Sequence, residues 1–426
     1  MFSESKDKLK TLIQQGATIP SSDQVLIGDE VPLKRIAAKG VMIYPGCKIL
    51  GETSLIMTGV KLGYEGPVTL EDCQIGRDVE LRGGFFRRSV FLERARMGGG
   101  AHIREGCILE EATSGAHSVG LKQTILFPFV TLGSLINFCD CLMAGGTSPK
   151  NHSEVGSSYI HFNYSTNQDK ATPSLIGDVP RGVMLNQLPI FLGGQGGLVG
   201  PVCLEYGTVT AAGVVCRKDL RERGKLMLAQ GPCRQCVEAP RLIADFHPGV
   251  YWFMKGRVIN NVSYIANLLA LRHWYVKVRS LFFGGGPMGE LLYKGLLEKL
   301  DMAIRERIER FKALSQKMPE SAKRYRQIIK EGPNEKLLRQ KQELFERWQD
   351  VEAVFSGHLE NSGDPSIREP FLEELTRHIK EKGADYVAVI QGLDRTWSAN
   401  GTKWLQGIVD AVNEAVLQVM PSFKCK

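Results

Sequence analysis

Two histidines near the middle of the chain stand among residue types suited to proton transfer and polar binding. His152 lies in the segment KNHSEVG, and His161 lies in YIHFNYSTNQDK together with Asn163, Tyr164 and Lys170. An imidazole titrates near neutral pH, so either histidine is a candidate general base. An ordinary outward-facing histidine beside a loop is the alternative for His161. The carboxylates available to orient either ring belong to Asp140, Glu154 and Asp169.

Cysteines offer a second kind of chemistry. Cys233 and Cys236 have the spacing of metal ligands or of a redox pair, and His247 follows not far behind. A structural zinc site takes four ligands, and no second cysteine pair follows. We therefore predict no firm metal site, with this pair left as an open alternative. The ten cysteines are otherwise scattered, which is typical of buried thiols in a reducing compartment.

The segments around these residues place apolar side chains every six positions. A period of six fits neither an α-helix nor a simple alternating strand. It is typical of a triangular coil, in which each six-residue repeat forms one flat side and sends an aliphatic residue inward. The sequence therefore predicts a left-handed parallel β-helix. The residues that mark the period most clearly are Leu192, Leu198, Leu204, Thr210 and Cys216.

The same period begins near Val25 and slips in places. We expect projecting loops near residues 82–90 and 111–118, where it slips. The run 131–153 loses strict spacing, and 179–190 is expected to be an inserted loop on the prism. Irregular segments on a rigid scaffold are where binding residues tend to lie.

After Asp219 the apolar spacing becomes helical, so the sequence predicts a β-helix followed by a C-terminal α-helical domain. The helices are expected at 257–282, 288–317, 320–331, 335–356, 366–382 and 385–420, with a break near Ser398. The predicted organisation is an N-terminal helix and link (1–22), the β-helix (23–230), a connector (231–256) and the helical domain (257–426).

Composition narrows the class of protein. The 426 residues are 43% hydrophobic and 23% charged, with a formal net charge of +8, which suits an anionic partner. Lysine and arginine are spread among glutamates rather than clustered, so we do not expect nucleic acid. The charged N-terminus does not resemble a signal peptide, and no apolar run is long enough to span a bilayer. We therefore expect a cytoplasmic protein with no membrane partner.

The central stretch resembles a known family, the acetyltransferase domain of the bacterial N-acetylglucosamine-1-phosphate uridyltransferases (the GlmU family). The resemblance covers roughly 122–220 and is carried by the segment YIHFNYSTNQDKATPSLIGD. It implies a trimer that binds a phosphorylated or nucleotide-linked sugar between neighbouring prisms. The implied substrate-binding residues are Lys122, Asn137, Asn163, Tyr164 and Lys170, with the two lysines at the phosphate and Asn163 and Tyr164 at sugar oxygens.

The resemblance also implies acetyl-CoA, or another acyl-CoA, as co-substrate. The run LVGPVCLEYGTVTAAG is similar to the family's closing coils. The implied coenzyme-binding positions are Ser157, Gly194, Ala212 and Gly213.

One position departs from the family. Where the family carries its catalytic histidine, this chain has Ser134. Acyl transfer to a sugar amine needs a base, and a lone serine hydroxyl cannot serve at neutral pH. His152 and His161 are the substitutes we weigh beside Ser134.

The sequence therefore predicts an acyl-CoA-dependent acyltransferase acting on a phosphorylated sugar. The family's uridyltransferase half begins with a Gly-rich nucleotide loop, and no such loop opens this sequence. The competing hypothesis is a non-catalytic sugar-nucleotide-binding or scaffold protein that kept the prism and lost the chemistry.

Overall fold

The first half of the chain forms a three-sided prism of parallel strands. The computed structural model describes residues 3–163, 167, 169–228, 249–284 and 286–424. About 11 turns lie between residues 26 and 227, and each full turn contributes one short strand to each face. Helices follow the prism. The predicted left-handed parallel β-helix followed by an α-helical domain is confirmed.

Face 1 of the prism is a ladder of two-residue strands, each paired in parallel with the strand one turn away. Its members are β2 (Met42–Ile43), β5 (Lys61–Leu62), β8 (Glu80–Leu81), β11 (Arg96–Met97), β14 (Ser114–Gly115), β16 (Thr131–Leu132), β18 (Glu154–Val155), β21 (Phe191–Leu192), β24 (Val209–Thr210) and β26 (Leu226–Met227).

Face 2 follows face 1 along the chain. Its members are β1 (Leu26–Ile27), β3 (Lys48–Leu50), β6 (Val68–Glu71), β9 (Gly84–Arg87), β12 (Ala101–Ile103), the first halves of β15 (Gly120–Leu126) and β17 (Asn137–Met143), β19 (Ile160–Phe162), β22 (Gly197–Val199) and β25 (Val215–Cys216).

Face 3 closes the triangle. It contains β4 (Leu55–Ile56), β7 (Gln74–Ile75), β10 (Ser89–Phe91), β13 (Cys107–Leu109), the second halves of β15 and β17, β20 (Ser174–Ile176) and β23 (Cys203–Leu204).

The core of the prism is the set of inward residues that the six-residue period predicts. Leu192 lies in register with Val155 on one side and with Thr210 on the other, and all three are buried. Leu198 and Cys216 form the equivalent pair on face 2. The free thiols of five other cysteines are buried as well: Cys47, Cys73, Cys107, Cys139 and Cys141.

The prediction of projecting loops at 82–90 and 111–118 is wrong, because strands β9, β10 and β14 occupy those residues. The chain passes those corners through residues in the left-handed backbone region instead of through projecting loops. Arg88 (φ 44°) and Ala112 (φ 54°) are two of them.

The real insertions lie at two of the three corners. Residues 144–153 and 177–190 leave the corner between faces 3 and 1, and the second contains the short helix α2 (Val179–Gly182). The described residues between β19 and β20 (163, 167 and 169–173) lie at the corner between faces 2 and 3. The inserted loop at 179–190 is confirmed. The irregular run predicted over 131–153 is confirmed only for 144–153, because β16 and β17 occupy 131–132 and 137–143.

Helices flank and follow the prism, and none within the described residues has an apolar stretch long enough to cross a bilayer. The α-helices outside the prism are α1 (Ser3–Gln14), α3 (Lys255–Lys277), α4 (Pro287–Gln316), α5 (Met318–Ile328), α6 (Glu335–Glu346), α7 (Trp348–His358), α8 (Pro365–Lys382), α9 (Tyr386–Gln391) and α10 (Arg395–Val419). The 3-10 turns are Ser22–Gln24, Leu33–Arg35, Arg279–Phe282 and Pro421–Phe423.

Two details of the helix prediction are wrong. The helix expected over 335–356 is two helices that part at Arg347. The break expected near Ser398 falls earlier, because the Asp394 side chain accepts a hydrogen bond from the Trp397 N–H and begins α10 there. Ser398 itself lies inside α10.

The helical region packs on face 3. α4 runs along β4, β7, β10 and β13, and α3 contacts β20. At Gly295 the helix approaches so closely that a Cβ atom would come within 2.6 Å of the Gln74 side chain. A side chain at that position would push α4 away from the prism, which accounts for a glycine inside a long helix.

Buried charges fasten the helices to the prism. The Arg307 guanidinium of α4 lies 2.7 Å from the Asp140 carboxylate at the corner between faces 2 and 3, with side chains 2% and 5% exposed. The Arg279 guanidinium contacts Glu111 at 2.5 Å in the same way. Such pairs cost desolvation, but the loss of one partner leaves an uncompensated buried charge. They therefore specify how the helices dock.

We expect Arg307→Ala to lower the free energy of unfolding by about 3–5 kcal/mol, because Asp140 would keep a buried charge without its cation. The measurement is urea unfolding followed by circular dichroism. Arg310→Ala is the matched control, since Arg310 lies on the same helix in a half-exposed pair with Glu306, and its loss should cost roughly 0.5 kcal/mol. Equal effects of the two substitutions would contradict the fastening role.

Candidate functional site

The corner between faces 1 and 2 stacks Ser134 and the four predicted coenzyme positions in one column. Ser134, Ser157, Gly194 and the Ala212–Gly213 pair occupy the same place in successive turns. These residues are far apart in sequence, and backbone hydrogen bonds align them. The bonds run from the Ser158 N–H to the Ser134 carbonyl (2.8 Å), from the Gln195 N–H to the Ser157 carbonyl (2.8 Å) and from the Gly213 N–H to the Gly194 carbonyl (2.9 Å).

Glycines keep this corner narrow. A Cβ atom on Gly133 would lie 2.7 Å from the Ser157 nitrogen, and one on Gly156 would lie 2.4 Å from the Gly194 nitrogen. Successive turns therefore touch through backbone, with small side chains at the column itself. A narrow edge of this kind lets a ligand approach the main chain closely.

Ser134 has an imidazole beside it that sequence reasoning missed. The Ser134 hydroxyl lies 2.9 Å from Nδ1 of His117, which occupies the same corner one turn earlier. The Leu135 N–H bonds to the His117 carbonyl, so the two turns are in register. The signal was present in the spacing, since His117 precedes Ser134 by one turn of the coil.

A carboxylate stands close to His117. Glu65 accepts hydrogen bonds from the Gly99 N–H (2.7 Å) and from Arg82 (3.1 Å). These two bonds hold the pKa of Glu65 below its ordinary value. Glu65 therefore stays ionised near neutral pH beside the imidazole.

A groove opens on face 2 next to this corner, with a volume of about 430 Å³. Gly120 forms its floor, because His102 and Asn137 are its register neighbours and it carries no side chain. Ser118 and Leu135 line the side toward the corner, and each directly follows a member of the His117–Ser134 pair. The predicted substrate residue Asn137 thus lines the groove.

Cations line the far edge of the same face. Arg87, Arg104 and Lys122 occupy one outward position in successive turns, and Arg104 also lines the groove. The Lys122 ammonium is 2.7 Å from Glu105, and both side chains are partly exposed. Arg104 was missed by sequence reasoning, although it precedes Lys122 by one turn.

Two other predicted sugar-binding residues, Asn163 and Lys170, lie at the corner between faces 2 and 3. Asn163 donates a hydrogen bond to Asp140 at 2.8 Å, and its carbonyl accepts one from Thr172 at 2.6 Å. The Lys170 side chain is exposed, and its carbonyl receives Arg307 of α4 at 3.3 Å. Tyr164 lies outside the described residues. The structure therefore puts this group across face 2 from Ser134.

His152 lies at the corner between faces 3 and 1. Its Nδ1 lies 2.9 Å from the Pro149 carbonyl, and its Nε2 lies 3.3 Å from Glu154, one of the predicted orienting carboxylates. Strand β18 separates His152 from Ser157. Within one prism, His152 and Ser134 are therefore at opposite edges of face 1.

His161 points into the prism rather than outward beside a loop, and it is 3% exposed. Nδ1 lies 2.5 Å from the Cys139 carbonyl, and Nε2 lies 2.8 Å from the Ser174 hydroxyl. Burial lowers the pKa of His161 to about 4. Both nitrogens are engaged inside the coil, so the base role of His161 stays a prediction without support from its surroundings.

The described residues contain no group of three or more side chains placed to hold a metal ion. Cys233, Cys236 and His247 lie outside those residues, so the open question about that pair is unchanged.

Comparisons with known proteins agree with this architecture, although no family model matches the chain. The chain is 29% identical to the bifunctional protein GlmU of Clavibacter sepedonicus over 208 residues, which are 49% of this chain and 38% of that protein. It is 27% identical to GlmU of Fervidobacterium nodosum over 54% of this chain and 45% of that protein. Identity to GlmU of Thermotoga maritima is 24%, over 54% and 46%.

These matches and the parallel coil relate the chain to the GlmU-like left-handed β-helix acyltransferases. The chain spans less than half the length of the curated relatives it matches. What those proteins do as whole molecules is therefore not carried over by the matches alone.

We expect the stability of the protein to fall as pH drops from about 6.5 toward about 4, because of His161. Between these pH values the imidazole of His161 is protonated in the unfolded protein and neutral in the folded protein. The unfolded state therefore binds more protons. The slope from this group reaches about 1.4 kcal/mol per pH unit. Urea unfolding at several pH values measures it.

His161→Gln should remove this component of the slope, whereas His152→Gln should keep it, since His152 lies at the surface. The imidazole signals of His161 in NMR should also stay constant from pH 8 to pH 5. A His161 that titrates near pH 6.5 would contradict the buried neutral ring.

Proposed function

We propose that this protein transfers an acyl group from a coenzyme A thioester to a phosphorylated or nucleotide-linked sugar. The observation that carries the proposal is the column at the corner between faces 1 and 2. Ser134 and all four predicted coenzyme positions fall on that single edge, and the face-2 groove with its cations lies beside it. The relation to GlmU supports the same class of reaction.

In this proposal the acyl-CoA lies along the corner at Ser157, Gly194, Ala212 and Gly213. The sugar phosphate lies in the face-2 groove, where Arg104 and Lys122 supply positive charge and Asn137 supplies an amide. Arginine offers a planar fork to phosphate oxygens, and lysine offers a point charge. The acceptor then attacks the thioester directly, with backbone N–H groups supporting the developing oxyanion.

The roles of Asn163, Tyr164 and Lys170 stay predictions. Asn163 and Lys170 lie at the far edge of face 2 from the column, and their loop packs on α4. Within one prism they would reach only the distal end of an extended ligand, such as the nucleotide part of a nucleotide-linked sugar.

We also propose a homotrimer. Phe191, Val209 and Leu226 form an outward apolar stripe along face 1 in successive turns, 41%, 36% and 59% exposed. Among the described residues the C-terminal helices pack on face 3, so we expect neighbouring prisms to meet faces 1 and 2. An exposed apolar stripe of this kind favours association. Trimer formation would place the corner column of one prism against the face of another.

A non-catalytic sugar-nucleotide-binding or scaffold protein remains the second candidate. The serine at the family's histidine position favours it, as does the distance of His152 and His161 from the column. The two candidates differ in one measurable product, the free thiol of coenzyme A.

The test is acetyl-CoA mixed with hexosamine 1-phosphates, hexosamine 6-phosphates and UDP-linked amino sugars, with thiol release followed by a colorimetric reagent. An acyltransferase releases thiol with at least one acceptor. A sensor binds an acceptor in calorimetry without releasing thiol, and that result would replace the proposal with the second candidate.

We expect Arg104→Ala and Lys122→Ala each to raise the KM for the sugar phosphate roughly 10- to 100-fold, as befits loss of a hydrogen bond to a charged group worth about 1.5–3 kcal/mol. Initial rates measured against acceptor concentration give the change. Lys48→Ala is the matched control, because Lys48 is an exposed cation on the same face several turns away. An unchanged KM in both the Arg104 and the Lys122 variant, or an equal rise in the Lys48 variant, would contradict phosphate binding at the groove.

We expect Phe191→Glu to weaken the trimer at least about tenfold, because it places a charge in an apolar stripe. Analytical ultracentrifugation measures the assembly. Phe345→Glu on α6 is the control, since Phe345 is similarly exposed (46%) but lies in the helical region. A wild type that sediments as a monomer would contradict the trimer.

A further inference from the structure

The His117–Ser134 pair occupies the one place where the column at the corner and the face-2 groove meet. Ser134 is followed along the column by Ser157 and Gly194 in the next turns, and His117 lies on the opposite side of Ser134. Ser118 and Leu135, the next residues in the chain, line the groove. The serine hydroxyl therefore stands between the imidazole and the proposed position of the thioester.

Resting on the proposed function, we infer that the proton of the acceptor passes to the Ser134 hydroxyl while the hydroxyl proton passes to Nδ1 of His117. Ser134 is then the group that touches the reacting atoms, and His117 holds the proton until the thiolate leaves. The 2.9 Å separation of Ser134 Oγ and His117 Nδ1 is that of a hydrogen bond. A serine hydroxyl is a weak base by itself, but it can accept a proton if it transfers its own proton to an imidazole at the same time.

The transfer balances without any further reagent. The acceptor nitrogen or oxygen forms a bond to the acyl carbon, and the carbon–sulfur bond of the thioester breaks. The acceptor proton goes to Ser134 Oγ as the Ser134 proton goes to His117. The imidazolium then returns a proton to the coenzyme A thiolate, so that free thiol leaves and the pair is restored.

The charged surroundings of His117 suit an imidazolium formed in passing. Glu65 lies at the same corner three turns before His117, and its carboxylate accepts hydrogen bonds from Arg82 and from the Gly99 N–H in the intervening turns. An ionised carboxylate near an imidazole favours its protonated form. Across the groove on face 2, His102 and Arg104 lie in the turn before His117, and Arg87 and Lys122 flank Arg104 in the neighbouring turns. The net environment therefore contains one carboxylate close to the ring and cations across the groove.

The other two histidines are placed less favourably. His161 has both nitrogens bonded inside the coil. His152 is at the other edge of face 1 and contacts Glu154. Neither lies within hydrogen-bonding distance of Ser134 among the contacts of the described residues, whereas His117 does.

The experiment compares kcat and KM of the full-length protein and its variants with acetyl-CoA and the acceptor that gives the fastest thiol release. We expect His117→Ala and Ser134→Ala each to lower kcat about 100-fold, the usual cost of losing a general base. The KM for acetyl-CoA should change by less than about twofold. The double variant should be no slower than either single one, because the two residues act as a unit. His358→Ala, which removes an imidazole from α7, should leave kcat unchanged.

Two readouts separate proton transfer from a structural role. The wild-type kcat should fall at acid pH as an imidazole becomes protonated, and this limb should be missing from the residual rate of His117→Ala. Ser134→Thr, which keeps the hydroxyl, should recover at least a tenth of the wild-type kcat, and added imidazole should partly rescue His117→Ala.

The outcomes that overturn the inference are distinct from failure of the proposed function. A wild type that releases no thiol with any acceptor overturns the proposed function and this inference with it. An active wild type whose His117→Ala variant keeps its rate overturns the inference alone, as does an active wild type inactivated only by His152→Ala. An acetyl ester found on Ser134 by mass spectrometry without acceptor would replace the relay by a covalent intermediate.

Discussion

The structure depends on inward columns of side chains that no single turn could bury. Most strands of the prism have only two to four residues, and strands so short are not stable by themselves. Each inward residue is covered by its register neighbours, as Leu192 is by Val155 and Thr210. A fully buried aliphatic side chain contributes about 1.5–3 kcal/mol. The turns are therefore stable only together, and a slip of one residue would turn polar residues inward.

The same register creates the candidate site. His117, Ser134 and Ser157 are far apart in sequence, and the insertion at 144–153 makes their spacing unequal. They stack because the buried inward residues that precede and follow them keep successive turns in register. The corner then consists of backbone and small side chains, and the groove exists because Gly120 leaves a gap between His102 and Asn137. The packing of the core of the prism thus positions the polar residues at its corner.

The helical region adds a second level of specificity. Its apolar side chains pack on face 3, but the buried pairs Arg307–Asp140 and Arg279–Glu111 decide where the helices dock. A buried charge must find its partner, so only one docking position satisfies all of them. The consequence for function is that, within the part of the chain that the structure describes, the helices pack on face 3 and away from the groove and the apolar stripe on face 1.

The sequence by itself determined the class of fold, because a period of six has few physical solutions and its inward residues can be read directly. It also determined most helices, the placement of the buried cysteines and the likeness of residues 122–220 to an acyltransferase. Only the tertiary structure decided which polar residues meet. Loops near 82–90 and 111–118 were expected where the chain instead forms strands and turns its corners at left-handed residues such as Arg88. His161 was expected on the outer surface of the prism and lies in its interior. The contact between His117 and Ser134 exists only because two successive turns are stacked. Periodicity reports which side chains are buried, whereas the meeting of corner residues depends on the exact length of every turn between them.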